Sequence, residues 1–180
     1  MTEDVVNAKE FNLLDEKGTL RANLSVTDLG TSLTLRDSNS RPRAGLTVLD
    51  GEPGLHLFDE NGNPRVNLAI GNDLPRIELF NADGKLRARL GVCKYAAELS
   101  LYDDNGKPLA RLVTLKDGPE LDIFDSDEKV RGSLVLSMGE PALVLRDKNE
   151  KFRVCLAVLK NEPELNLFDS SGNVIWEAPR

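Results

Sequence analysis

Carboxylates are the most numerous groups in this chain that could do chemistry, and they recur in loops such as DENGN at 59–63 and DDNGK at 103–107. Oxygen ligands at close spacing suit Ca²⁺, and an EF-hand loop begins with a similar D-x-[DN]-x-[DN]-G pattern. Here the glycine comes three residues after the first aspartate, which is too early, and the later glutamate is missing. Hairpin turns explain the same residues without a metal. We therefore predict no metal site, and calcium binding is the less favoured interpretation.

Nucleophilic, redox and phosphate chemistry lack the patterns that they need. His56 is the one histidine, and Cys93 and Cys155 are the two cysteines, which we predict to be free thiols. There is no G-x-S-x-G motif and no glycine-rich phosphate loop. Two carboxylates could still lie together for acid–base work, but their even spread indicates a solvated rim. We predict that the protein is not an enzyme and binds no cofactor.

The composition excludes several other classes. The chain has 180 residues and a net charge of −7, with 40% hydrophobic, 29% charged and 5% aromatic residues, a globular balance. The acidic charge argues against nucleic-acid binding, which needs a cationic face. No apolar run approaches the roughly 18 residues of a membrane span. Residues 1–7 contain Glu3 and Asp4 and no basic cluster, so we predict no signal peptide and, by default, a cytoplasmic location.

The elements that must position these residues repeat every 22 residues without insertion or deletion. Each repeat contains one acidic or amide residue, here called the anchor. The anchors are Asp15, Asp37, Asp59, Asn81, Asp103, Asp125, Asp147 and Asp169. Aliphatic residues lie two positions before every anchor, and in nearly every repeat also four before it and nine and eleven after it. This period of two is typical of half-buried strands, and no helical period is sustained.

Turn residues separate two strands in each repeat. Glycine follows five of the anchors by three residues, and eight of the nine prolines fall at two sites eleven residues apart, which suits the first residue of a strand. The parity of the apolar positions predicts strands of about seven residues and loops of four, with the anchor opposite the residue five after it. Across the second gap it predicts that Val48 pairs with Pro53.

We predict an all-β protein of eight tandem 22-residue β-hairpin repeats. An N-terminal lead covers 1–8, and a single β-repeat domain covers 9–180, with units starting near 9, 31, 53, 75, 97, 119, 141 and 163. The favoured architecture is a rolled or superhelical antiparallel meander, and the alternative is a flat β-solenoid. A solenoid would stack like-charged arginines on one another. A flat sheet would expose well over about 1,000 Å² of leucine face, which predicts rolling, layering or association with another chain.

The opposite face of the predicted sheet carries aromatic and arginine residues. One residue before the anchor are Phe58, Phe80, Tyr102, Phe124 and Phe168. Arginines six residues after the anchor are expected to lie over these rings. In two repeats arginines replace the aromatics, so that Arg36 faces Arg43 and Arg146 faces Arg153, pairs that Asp37 or Asp147 would balance. A structural role is favoured, and an anion-binding arginine stripe is the alternative. The candidate surface contacts are these five aromatic residues and the four paired arginines, Arg36, Arg43, Arg146 and Arg153.

The consensus L-x-L-F-D-x-x-G-x-x-R-a-x-L, with ELNLFDSSGNVIWEAP at 164–179, resembles tandem repeats of poorly characterised bacterial proteins. This resemblance covers nearly the whole chain and implies a repeat architecture but no activity. More loosely, the hairpins are similar to YD-type repeats of bacterial shell proteins, whose Tyr-Asp pair occurs once here, at Tyr102-Asp103.

Two functions fit these patterns. The first is a non-catalytic structural, scaffolding or protein-interaction module whose partners are proteins or copies of itself, as in a homo-oligomer. The alternative is a module that binds a polymeric ligand such as a glycan, with the aromatic row as a stacking platform. Exposure of the five aromatic rings separates the two hypotheses.

Overall fold

A computed structural model describes residues 6–179, and within that range every regular element is a strand. The strands are β1 (Glu10–Leu14), β2 (Leu20–Thr27), β3 (Gly30–Arg36), β4 (Pro42–Leu49), β5 (Glu52–Phe58), β6 (Pro64–Gly71), β7 (Leu74–Phe80), β8 (Leu86–Val92), β9 (Ala97–Tyr102), β10 (Pro108–Leu115), β11 (Gly118–Phe124), β12 (Val130–Ser137), β13 (Glu140–Arg146), β14 (Phe152–Leu159), β15 (Glu162–Phe168) and β16 (Val174–Ala178). Residues 1–5 of the predicted lead, on which the signal-peptide prediction rests, and Arg180 lie outside the described residues.

The sixteen strands follow one another in an antiparallel sheet in chain order, β1 to β16. Each strand pairs with its neighbours in sequence, because the short loops leave no room for a crossover. The predicted all-β meander of tandem hairpins is therefore confirmed. The flat β-solenoid alternative is wrong, since it would require strands 22 residues apart to pair with each other.

The leucine register is the predicted one. Leu55 lies opposite Leu68, which lies opposite Ile77 on its other side, so residues four before and nine after the anchor form one continuous row. Val48 pairs with Pro53 as expected across the second gap. The ladder there runs one pair further than predicted and leaves a loop of two residues, as at Asp50-Gly51.

The first turn differs from its prediction by one residue. Phe58 pairs with Pro64, and a bulge follows before Leu57 pairs with Val66. The Asp59 amide donates to the Asn63 carbonyl at 2.9 Å, so the loop has three residues rather than four. A three-residue hairpin loop with a positive φ at its last position characteristically produces such a bulge. The bulge recurs in the hairpins β1–β2, β3–β4, β9–β10, β11–β12, β13–β14 and β15–β16.

The anchors build this turn. Oδ1 of Asp59 accepts hydrogen bonds from the amides of Asn61 and Asn63, both at 2.9 Å. The equivalent two bonds are present at all eight anchors, and at Asn81 an amide oxygen takes the place of the carboxylate. The third loop residue has a positive φ, 84° at Gly62 and 61° at Glu128, where glycine is absent. Each anchor thus satisfies two loop amides that the strands cannot reach.

The chain divides into two compact units, one up to Leu86 with β1–β7 and the first residue of β8, and one from Arg87 with the rest of β8 and β9–β16. The prediction of a single domain over 9–180 stays a prediction. Within each unit, every strand packs against the strands before and after it in the chain. Side chains therefore pack in rows that run across neighbouring strands, and these rows are described separately for each of the two units below.

Candidate interaction surface

One face of the sheet presents aliphatic side chains to solvent and is here called the leucine face. Its central row holds one residue per strand. In the first unit the row is Phe11, Leu24, Leu33, Leu46, Leu55, Leu68 and Ile77. In the second it is Leu90, Leu99, Leu112, Leu121, Leu134, Leu143, Leu156, Leu165 and Ala178. The exposed fractions run from 37% to 54% in the first unit, and only the last two members of the second row fall below that range.

Two further apolar rows flank the central one. On one side leucines alternate with smaller residues over several strands, as where Leu35 lies between Ala22 and Ala44. On the other side β-branched residues lie opposite prolines, as in Val48 and Pro53. Within the strands of residues 6–179 these three rows contain no charged side chain. In each unit the leucine face is therefore apolar across its width, and no other described strand of the same unit covers it.

The opposite face, here called the polar face, has a central row with a spacing of eleven residues. In the first unit this row is Asn12, Asn23, Thr34, Gly45, His56, Asn67 and Glu78. In the second it is Arg89, Ser100, Arg111, Asp122, Ser133, Val144, Cys155, Asn166 and Glu177. This row was not predicted from the sequence, although most residues at this eleven-residue spacing are polar.

The polar face of the second unit is the better packed one. The six non-glycine residues buried among residues 6–179 all lie on it: Ser100, Val113, Asp122, Ser133, Val144 and Ala157. They are short side chains, and longer neighbours on the same face cover them. The larger apolar groups, the leucines, lie on the other face and stay exposed, although the hydrophobic effect favours their burial.

A chain of hydrogen bonds on the polar face links the four strands β10, β11, β12 and β13. Asp122 is 1% exposed, accepts from Nη2 of Arg111 at 2.8 Å and accepts from Oγ of Ser133 at 2.8 Å. Nη1 of Arg146 donates to Oγ of Ser133 at 2.7 Å. Burial acts to raise the pKa of Asp122, but the bonds from Arg111 and Ser133 outweigh it and hold that pKa below its ordinary value. Burial, and then the charge of Asp122, raise the pKa of Glu120 on the same strand.

His56 has a structural environment in the first unit. Its Nε2 lies 3.2 Å from Oγ1 of Thr47, and its Nδ1 lies 3.0 Å from Oδ1 of Asn67. Gly54 beside it leaves space for the ring, since a Cβ there would lie 2.8 Å from Nε2. Both ring nitrogens are thus engaged within the face.

The arginines six residues after the anchors tie each repeat to the next. Nη1 of Arg131 lies 3.1 Å from Oδ2 of its own anchor Asp125, while its Nε donates to the carbonyl of Arg146 in the next repeat at 2.9 Å. Nε of Arg65 likewise donates to the carbonyl of Phe80 at 2.9 Å. The same donation is made by Arg43 to Phe58 and by Arg87 to Tyr102. These arginines therefore act as links within the sheet.

The predicted stacking of these arginines on the aromatic ring of their own hairpin is wrong. Among residues 6–179 the arginine–ring contacts are Arg111 over Phe124, at 5.7 Å, and Arg146 over Phe152, at 5.1 Å. The hairpin bulge explains the difference, because it displaces Arg65 from the position opposite Phe58. The five candidate rings, Phe58, Phe80, Tyr102, Phe124 and Phe168, are half-buried.

The prediction that Arg36 faces Arg43 and Arg146 faces Arg153 is wrong, because the hairpin bulge places Arg36 opposite Pro42 and Arg146 opposite Phe152. Arg36 donates to Oδ1 of Asn23 at 3.4 Å and to the carbonyl of Ser40 at 3.1 Å, while Arg43 lies 3.8 Å from Asp37. In the second pair Arg153 binds its anchor Asp147, and Arg146 binds the Ser133 hydroxyl described above. Asp37 and Asp147 were expected to balance the charges of the arginine pairs, and they form ion pairs with Arg43 and Arg153.

The remaining candidate groups stay dispersed. Within residues 6–179 no three His, Cys, Asp or Glu side chains are grouped so that they could hold a metal ion. Cys93 is exposed and Cys155 half-buried, and burial raises the pKa of the Cys155 thiol. The part of the chain that the structure describes contains no helix with the length and apolarity that a membrane crossing requires.

Fold and surface together define an all-β protein of tandem hairpins with one polar and one apolar face. The chain matches no protein-family model, and no curated protein sequence is significantly similar to it.

Proposed function

We propose that this protein is a non-catalytic structural or scaffolding module that works by burying its leucine face against a protein surface. The observation that carries the proposal is the exposure of the central leucine row in both units. Apolar surface in water raises the free energy of the chain, and contiguous apolar patches beyond a few hundred Å² mark interaction sites.

The size of the leucine face supports this proposal. Neighbouring strands lie about 4.8 Å apart, and three rows of side chains span about 17 Å, so the seven strands of the first unit present about 600 Å². The nine strands of the second unit present about 700 Å² by the same geometry. The first unit thus reaches the upper end of the range of about 300–600 Å² for the largest apolar patch on a typical monomer, and the second unit exceeds it.

The glycan-binding alternative finds less support. Its proposed platform consists of half-buried rings, and equivalent positions recur only on every second strand, about 10 Å apart. The arginines beside these rings are already bonded to backbone carbonyls of the next repeat. The polar face is therefore occupied by bonds within the sheet.

The test compares two leucines of strand β10 that are equally exposed, at 45% each, on opposite faces. Leu112 belongs to the leucine face, and Leu109 takes the arginine position on the polar face. Each is changed to cysteine in a chain carrying Cys93→Ser and Cys155→Ser. In cells that express the full chain, a membrane-permeant maleimide should label Leu109→Cys at least tenfold faster than Leu112→Cys.

Slow labelling of Leu112→Cys would mean that something covers the leucine face in the cell. Equal rates at the two positions would show a bare face and would reject the proposed function. Labelling in denaturant, where both thiols should react alike, controls for their intrinsic reactivity.

A further inference from the structure

We infer that the occupant of the leucine face is a second copy of this chain, packed face to face to complete a two-layered sandwich. This inference rests on the proposed function and names its partner. Two sheets packed in this way lie about 10 Å apart with side chains from the inner faces interdigitated.

The area of the leucine face suffices for such a pair. If one unit packs on the same unit of a second copy, each copy contributes its whole leucine face, about 700 Å² for the second unit. The pair would then bury about 1,400 Å², which lies within the range of about 1,200–2,000 Å² for specific, stable protein interfaces. A single unit is therefore large enough to hold two copies together.

The shape of the leucine face also suits a second copy. Over strands β9 to β13 the flanking row alternates large and small side chains on successive strands. In the second unit Leu101 is followed by Ala110, Ile123, Gly132 and Leu145, each opposite the one before. Projections and hollows therefore recur at the same spacing, about 10 Å, two strands apart. A twofold-related copy presents hollows at the spacing of the projections, which is the self-complementarity that an isologous interface requires.

The charge distribution favours a copy over a dissimilar partner. The chain has a net charge of −7, but the charged side chains of the strands within residues 6–179 lie on the polar face, outside the three rows of the leucine face. Two leucine faces can therefore meet without burying a charge or requiring a complementary one. An uncharged face offers a dissimilar partner no electrostatic feature to recognise.

The experiment measures the mass of the purified full chain by light scattering and sedimentation equilibrium over about 1–100 μM. The wild type should have the mass of two chains. Leu112→Lys should weaken association at least tenfold, because the symmetric pair would bury the charge twice. The matched control, Leu109→Lys, places the same charge at equal exposure on the other face and should leave the dissociation constant unchanged within twofold.

A second measurement does not depend on a disruptive substitution. In the purified Leu112→Cys chain, with Cys93→Ser and Cys155→Ser, maleimide labelling should accelerate on dilution as the pair dissociates. A single-chain mass for the wild type at 100 μM would overturn the inference, as would equal effects of both lysines on a wild-type pair. If the thiol is protected in cells but the purified chain is a monomer, a different protein covers the face, and the proposed function survives without this partner.

Discussion

At the scale of single residues, the anchor works through its Oδ1 acceptor. Asn81 makes the same two bonds to loop amides, 3.0 Å and 2.9 Å, that the aspartates make. The aspartate anchors, unlike Asn81, also make the stability of the fold depend on pH. The amide of Asn63 is the main cause that holds the pKa of Asp59 below its ordinary value of 3.8, and the amide of Lys107 does the same for Asp103.

A folded-state pKa below the unfolded one gives stability that is present above the unfolded value and lost as the pH falls through the folded one. Changing both Asp59 and Asp103 to asparagine should keep the turns. It should also remove the part of the stability loss at acid pH that comes from protonation of these two carboxylates. We expect urea midpoints close to wild type at pH 7, and a smaller fall than wild type between pH 7 and pH 3.

The matched control changes the same two anchors to alanine, which cannot accept the loop amides and should lower the midpoint at both pH values. If the asparagine variant loses as much between pH 7 and pH 3 as the wild type, the carboxylates are not the source of the loss. Arg65 lies 4.0 Å from Asp59, and Leu109 stands at the equivalent position after Asp103, so few ion pairs are disturbed.

Residue identity predicted the turns well and the arginines poorly. The Asp-x-x-Gly pattern determines a local loop whose bonds span four residues, so one segment of sequence suffices to predict it. Arg65 was expected opposite Phe58, but the bulge between β5 and β6 displaces it, and its partner is the carbonyl of Phe80, fifteen residues away across the β6–β7 pair. A pattern with a period of two does not reveal a bulge, because one extra residue changes which side chains face each other.

At the scale of the strand and turn, two glycines have a role that the others lack. Gly118 has a φ of 141°, and a Cβ there would lie 1.7 Å from the carbonyl oxygen of Leu136 on strand β12, the neighbour of its own strand β11. Gly30 is similar, with Val48 as the close residue. In contrast, Gly106 has a φ of 82°, and a Cβ added there would meet no atom within 4 Å.

Gly118→Ala should therefore destabilise the protein more than Gly106→Ala. Left-handed backbone alone costs alanine about 1–2 kcal/mol, which is the expectation for Gly106→Ala. The clash at position 118 requires the backbone to move, so we expect a loss of about 3 kcal/mol or more there. Urea unfolding of both variants measures the difference, and equal losses would mean that the close approach is not maintained in solution.

The elements themselves were largely predictable, because each strand is short, alternates regularly and follows a turn with its own residue pattern. The row at eleven-residue spacing on the polar face was not predicted. Its members share neither size nor charge, from Gly45 to Arg111 and Asp122. Only their register across the sheet, as in the pairing of Arg111 with Asp122, brings them together.

At the scale of the whole molecule, the constant repeat length keeps both faces in register. Deleting residues 57–78 removes 22 residues and joins His56 to Leu79, which restores the pattern of an intact repeat. We expect this variant to fold with the wild-type circular dichroism per residue, because each repeat contacts only its neighbours.

Deleting residues 57–77 provides the control. It leaves one extra residue, Glu78, inside the joined strand, which would turn every following side chain to the opposite face up to the next loop. This variant should unfold at a clearly lower urea concentration than the 22-residue deletion. Equal midpoints would show that the loops absorb the change and that repeat length is not what maintains the register.

Tandem hairpins of equal length carry a risk of misalignment, since a strand could pair one repeat too early or too late with its leucines still on the correct side. The varied row of the polar face opposes this error. The contacts Thr47–His56–Asn67 and Arg111–Asp122–Ser133 occur at one place each, and a strand shifted by a repeat would leave them unmade. The leucines are alike in every repeat and would fit any of these pairings. The polar residues differ from repeat to repeat, so their contacts form only when each strand pairs with its correct neighbour.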